Sequence, residues 1–250
     1  MSIARRKNKS IELAPKIKLG AAAVAGAAAC AVPHSARASV IYNSVDLPVN
    51  SSQTSQEIDL DGDGTNDFDV EYATISPVNT ETNLKVDAED TNEVALDGTT
   101  NVEGTPNAAI FSSGASIGSS LPGGDTYGSG EFGEVNLYSP PQTTYDNDTE
   151  TGSGNFTVAA GAQFIGVEFT AGGNTSGTPN YGYIEFETTN QSSTSSLAGE
   201  VLAYAYETQP GVSITAGAVP EPSSLALLAM GAVGLLRYRG RRTPLNSEKP

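Results

Sequence analysis

Residues 39–215 are predicted to form an all-β domain, a β-sandwich of jelly-roll or laminin-G-like type, and three observations predict it. Apolar residues at helical spacing are nearly absent from this stretch. Gly, Ser, Thr and Asn interrupt it about every 8 to 15 residues. Between interruptions apolar and polar residues tend to alternate, as a half-buried strand requires. The length accommodates about ten to twelve strands, and a pair of smaller immunoglobulin-like sandwiches is the alternative.

Ahead of this domain, residues 1–38 read as a secretory signal peptide. Arg5, Arg6, Lys7, Lys9, Lys16 and Lys18 form a basic start, Leu19 to Val32 an alanine-rich apolar run, and Ala36-Arg37-Ala38 a small-x-small pattern before Ser39. Signal peptidase is therefore expected to cut between Ala38 and Ser39. A twin-arginine leader would carry an apolar pair after Arg5-Arg6, and a lipoprotein leader a leucine ahead of Cys30; the sequence has neither.

The first strand is expected at Val40 to Leu47, followed by a polar turn. Next comes a hairpin, Gln56 to Leu60 and Phe68 to Ile75, in which Ile58, Leu60, Phe68, Val70 and Tyr72 alternate with polar residues. It encloses an acidic loop with the spacing Asp59-x-Asp61-x-Asp63-Gly64-x-x-Asp67. Oxygen ligands at alternating positions converge on one hard cation when the loop coils around it, and Gly64 permits the sharp turn after the third aspartate. A plain Asp-Gly turn would also suit a hairpin, but two carboxylates about 5 Å apart repel by roughly 3 kcal/mol at an effective dielectric of 20. The spacing resembles the DxDxDGxxD calcium loop of several extracellular modules. That resemblance implies Asp59, Asp61, Asp63, the Thr65 carbonyl and Asp67 as ligands and calcium as the cofactor. The loop departs from an EF-hand, because Val70 stands where a bidentate glutamate would be and the flanks are strands.

Short strands are expected at Asn83 to Val86, Glu93 to Leu96, Ala109 to Phe111 and Gly133 to Tyr138, with Ser112 to Gly130 as a surface loop. The most regular strands follow: Phe156 to Ala159, Phe164 to Thr170, Tyr181 to Thr188 and Val201 to Glu207. Phe164, Val167, Phe169, Ile184 and Phe186 are expected on the inner face, and Thr189 to Ala198 as a polar hairpin loop. Ser213 to Ala218 reads as a tether. The run from Phe164 through Pro210-Gly211 is similar to uncharacterised cargo domains that precede one kind of bacterial sorting signal.

That signal occupies residues 216–242. Val219-Pro220-Glu221-Pro222 is followed by the uncharged run Leu225 to Leu236 and then by Arg237, Arg239, Arg241 and Arg242. Twelve apolar residues fall short of the roughly 20 that span a bilayer in a helix, so Ser223, Ser224 and the flanking prolines must be recruited. The run is apolar on every face, unlike a soluble amphipathic helix. Arginines on its far side hold residues 243–250 in the cytoplasm and leave residues before Pro220 outside. The order of motif, apolar run and arginine cluster resembles the PEP-CTERM sorting signal of exosortase substrates. The resemblance implies a Gram-negative-type cell, passage through the inner membrane, an exosortase cut near Pro-Glu-Pro, and delivery to the surface or an exopolysaccharide matrix.

Between Ser39 and Pro222 the chain holds 27 acids and one base, Lys85, a formal charge of −26, which excludes nucleic acid as a partner. Cys30 and His34 lie in the leader, so the exported part has no cysteine, histidine or arginine. Nothing there suits the activation of a serine or threonine nucleophile, and no enzymatic activity is expected. A carbohydrate-binding or glycoside-hydrolysing surface protein is the alternative. In the absence of tryptophan, a sugar platform would have to use Tyr127, Tyr138, Tyr181 and Tyr183.

Overall fold

The computed structural model describes residues 39–220 apart from 76–80, 102–103, 131–132, 144–148, 151, 173, 175 and 194–195. The leader, with Ala36 and Ala38, and the tail from Glu221 onward, with Pro222 and the four arginines, lie outside the described residues.

Strand follows strand. The first five are β1 (Val40–Asn50), β2 (Ser55–Ile58), β3 (Phe68–Ile75), β4 (Glu81–Ala88) and β5 (Glu93–Thr100). Short pieces come next: β6 (Pro106–Ala108), β7 (Ile110–Phe111), β8 (Ser116–Ile117), β9 (Thr126–Gly128), β10 (Glu134–Tyr138), β11 (Gln142–Thr143) and β12 (Thr149–Glu150). Three long strands, β13 (Gln163–Phe169), β14 (Asn180–Asn190) and β15 (Ala198–Glu207), precede the two-residue β16 (Ile214–Thr215). The fold is all-β, as the punctuation and alternation predict.

Beside the main sheet stand two small ones, β11 with β12 and β16 with β8. Twelve strands belong to one path, β1-β15-β14-β13-β5-β6-β10-β4-β3-β2, with β7 added on β13 and β9 on β5. Short β6 is the joint: it pairs antiparallel with β5 and parallel with β10. The path curls until its two ends meet, because β1 runs into β2 through a tight turn in which Asn50 and Gln53 exchange backbone bonds at 2.8 and 3.1 Å. Gln56 Nε2 then donates to the Pro48 carbonyl at 2.8 Å across the seam. The result is a nearly closed, barrel-like sheet.

Inside the curl lies the larger core. Phe68, Val70 and Tyr72 of β3 meet Leu84 and Val86 of β4 across an antiparallel register. From the far wall come Ile165, Val167, Phe169, Ile184, Phe186 and Val201. Phe156 also enters this core, edge-on to Phe186 with ring centroids 5.8 Å apart. It does so outside a strand, because Val158–Ala160 forms a 3-10 turn closed by Gly161 at φ +66°.

A second apolar cluster covers the outer face of the same strands. Phe164, Tyr181, Tyr183 and Ala205 face outward there and are capped by Ala109, Phe111, Ile117, Ile214 and Ala216. Phe164 therefore lies on the opposite face from Val167 and Phe169, contrary to the parity expected for it. The sequence 112–130 contributes β8 and β9 rather than only a surface loop. Ser213 to Ala218, expected as a tether, is docked instead: β16 pairs with β8, Ala216 N–H donates to the Ala115 carbonyl at 2.8 Å, and Tyr183 Oη–H donates to the Ala218 carbonyl at 2.7 Å.

Candidate metal centre

The β2–β3 hairpin sets the mouth of the acidic loop. Ile58 pairs with Phe68, and Asp67 N–H donates to the Ile58 carbonyl at 2.8 Å. Leu60 is fully buried and pins the loop to the core. Between these anchors the chain turns twice through Gly62 at φ +78° and Gly64 at φ +92°, where a side chain would be strained. Gly64 has the role its position after Asp63 suggests, and Gly62 shares it.

The turns aim backbone N–H groups at the carboxylates. Asp59 accepts Gly62 N–H at 2.7 Å and Asp63 N–H at 3.2 Å on Oδ1, and Gly64 N–H at 2.8 Å on Oδ2. Asp61 Oδ1 accepts Asp63 N–H at 3.1 Å, while its Oδ2 accepts the N–H of Gly172, which lies between β13 and β14. Asp67 turns inward, 8% exposed, accepting Leu60 N–H at 2.8 Å on Oδ2 and Asn92 Nδ2–H at 3.4 Å on Oδ1. Burial pushes its pKa up to about 6; the charges of Asp61, Asp59 and Asp63 add to the rise, and the Leu60 amide opposes it.

Asp59, Asp61 and Asp67 each offer an oxygen within 4.8 Å of the others. Oxygens sharing one calcium at 2.3–2.6 Å lie at most about 5 Å apart, a condition that this triad meets. Asp63 does not join them: its Oδ1 accepts Thr65 N–H at 2.8 Å and its carboxylate lies against Gly172. A Cβ at Gly172 would sit 2.6 Å from Asp63 Oδ2, so a larger residue there would require the Asp63 carboxylate to shift. Thr65 is exposed at the loop tip. The structure thus brings together three of the four aspartates that the spacing singles out.

Several contributors are invisible to spacing. Gly172 reaches the loop across 111 residues of chain, and Asn92 stands beneath Asp67. Tyr206, 6% exposed, is close enough that the negative charges of Asp61, Asp67 and Asp59 add to the burial that raises its phenol pKa. No periodicity marks these partners, because the β13–β14 connection meets the hairpin only through the curl of the sheet.

The tyrosines proposed as a sugar platform are differently disposed. Tyr181 and Tyr183 are buried in the outer cluster, and Tyr127 stacks on Tyr181 with ring centroids 5.7 Å apart.

Val219 and Pro220 follow directly on the docked Ala218. Residues 218–242 match the family model of the PEP-CTERM protein-sorting motif. No curated protein and no solved structure matches the chain.

Proposed function

We propose that a chain carrying the PEP-CTERM sorting motif delivers its β domain to the outside of the cell as a non-enzymatic surface or matrix protein. Signal peptidase removes the leader before Ser39, the C-terminal apolar run holds the chain in the inner membrane of a Gram-negative-type cell, and an exosortase-type enzyme cuts near Val219-Pro220-Glu221-Pro222. Surface display or release into exopolysaccharide follows. The observation that carries this reading is positional: among the described residues the last backbone group docked on the domain is the Ala218 carbonyl, and the sorting motif begins at that residue. A folded body thus gives way directly to the processing site, with Val219 half exposed and accessible.

Composition supports a structural rather than catalytic role. Lys85 is engaged by Glu71, Asp87 and Glu134, which favours its protonated form, so it is ill suited to act as a base. Calcium held by Asp59, Asp61 and Asp67 would supply two positive charges to a body near −26, stabilising it beyond the local contacts. The carbohydrate-binding alternative has less support, since burial removes Tyr181 and Tyr183 from any stacking surface.

Mass spectrometry of the protein from its native host tests the reading. An N-terminus at Ser39 and loss of the sequence beyond Pro220 in the extracellular fraction are expected, with retention in the inner membrane when the exosortase-type enzyme is deleted. Abundant full-length chain in the cytosol would overturn it.

A further inference from the structure

The residue expected to lead the exported chain meets a buried acid. Ser39 N–H donates to Glu207 Oε1 at 2.7 Å, and Glu207 is only 4% exposed. The same oxygen accepts Gln209 N–H at 3.1 Å and Thr208 Oγ1–H at 3.4 Å, while Thr208 N–H donates to the Ser39 carbonyl at 3.0 Å. Register produces the meeting: Glu207 ends β15 directly opposite Val40, the first residue of β1.

In the precursor, Ser39 N is a peptide nitrogen with a single hydrogen and no charge. Hydrolysis of the Ala38–Ser39 bond adds water across it, leaving Ala38 with the carboxylate and Ser39 with an amine that takes up a proton near neutral pH. A neutral donor on Glu207 thereby becomes an ammonium at the same position. Buried carboxylates are costly without a cation, and charge-assisted hydrogen bonds are about twice as strong as neutral ones. Lys85, the one other base between Ser39 and Pro222, is occupied by Glu71, Asp87 and Glu134.

We propose that removal of the leader creates an ammonium–carboxylate pair between Ser39 and Glu207 that locks β1 onto β15, so that the domain reaches its full stability only after processing. The proposal rests on cleavage before Ser39. The device suits its place, because β1 is one end of the strand path and forms one side of the seam.

The test uses the full chain processed in exporting cells, with its N-terminus read by mass spectrometry and its amine labelled by an N-hydroxysuccinimide ester at neutral pH. Labelling at Ser39 is expected to be roughly tenfold slower than in Glu207→Gln, as a partner that raises an amine's pKa by about one unit requires. A second variant keeps Glu207 and inserts one glycine between the cleaved bond and Ser39; it should label fast and melt lower than the parent. An N-terminus elsewhere than Ser39 overturns the processing reading and the pair with it. An N-terminus at Ser39 that labels as fast as in Glu207→Gln, or an insertion that changes neither labelling nor melting, overturns the pair alone.

Discussion

Leu60 N–H donates to Asp67 Oδ2 at 2.8 Å, closing the neck of the acidic loop with one residue of the core and one of the candidate metal triad. Folding the hairpin and assembling the site are therefore one event. A cation at Asp59, Asp61 and Asp67 should stabilise the domain by about 1.4 kcal/mol at a free concentration tenfold above its dissociation constant. That gain raises the melting temperature by a few degrees. Asp59→Ala and Asp61→Ala should abolish the calcium increment, whereas Asp63→Ala, outside the triad, should keep most of it. The comparison is melting in calcium against chelator with sodium chloride at matched ionic strength, since salt also screens the acidic surface. An increment no larger than the salt control would show the loop to be a turn and nothing more.

Glu93 and Glu168 stand directly opposite each other on β5 and β13 and share a hydrogen bond. Burial, then that bond, then the charge of Glu93 push the Glu168 pKa up to about 7. Tyr127 and Tyr181 lie beside the pair and feel the charge of Glu168. The folded state binds the proton more tightly than the unfolded one, whose glutamate titrates near 4.5. Stability from this pair is thus fully present below pH 4.5 and declines as pH rises through about 7. Thermal melts across that window should show the decline, and Glu168→Gln, which removes the titrating group, should flatten it. A slope unchanged in the variant would mean that other acids set the pH response.

Lys85 Nζ lies 3.2 Å from Glu71 and 3.5 Å from Asp87, and also bonds Glu134, with its side chain only 12% exposed. Burial and the charges of Glu71 and Glu134 raise the pKa of Asp87 to about 6, and Lys85 opposes that rise. Lys85→Met would leave three facing carboxylates without a cation and should destabilise the domain by about 2 kcal/mol in chemical denaturation. Adding Asp87→Asn should restore part of that loss. If the double variant is no more stable than the single one, repulsion among these acids is not the cause.

Tyr183 Oη–H holds the Ala218 carbonyl at the point where the domain ends and the sorting motif begins. Tyr183→Phe removes one hydrogen bond, worth about 1 kcal/mol, and keeps the ring in its edge-on contact with Phe164. The expected outcome is a small loss of global stability and a larger rise in proteolytic nicking between Ile214 and Ala218, read by limited proteolysis. Equal changes in both would argue that the segment opens only with the whole domain.

Much of this molecule is legible along the chain. Alternation in Phe68, Val70 and Tyr72 marks β3 and its inner face, because side chains on successive strand residues point to opposite faces whatever the partner. The Asp59 to Asp67 spacing marks the loop, and Gly64 its turn, since both depend on neighbours within nine residues. The order of Pro-Glu-Pro, apolar run and arginines likewise needs no fold to be read, because a processing enzyme and a bilayer meet it as a linear segment.

Other features required the tertiary structure. Phe164 and Phe169 are both apolar members of one strand, yet they enter different cores, and only the cap formed by Phe111, Ile117 and Ile214 makes the outer face apolar enough for Phe164. Asp63 has the right spacing to join Asp59 and Asp61, but its carboxylate turns to the Thr65 amide and lies against Gly172. The residues of the acidic loop and their order were determined by the sequence, while the seating of Gly172 on Asp61 and the pairing of Ser39 with Glu207 were decided by the curl of the sheet. Those pairings depend on strand register over more than 100 residues of chain, and a local pattern carries no information about that register.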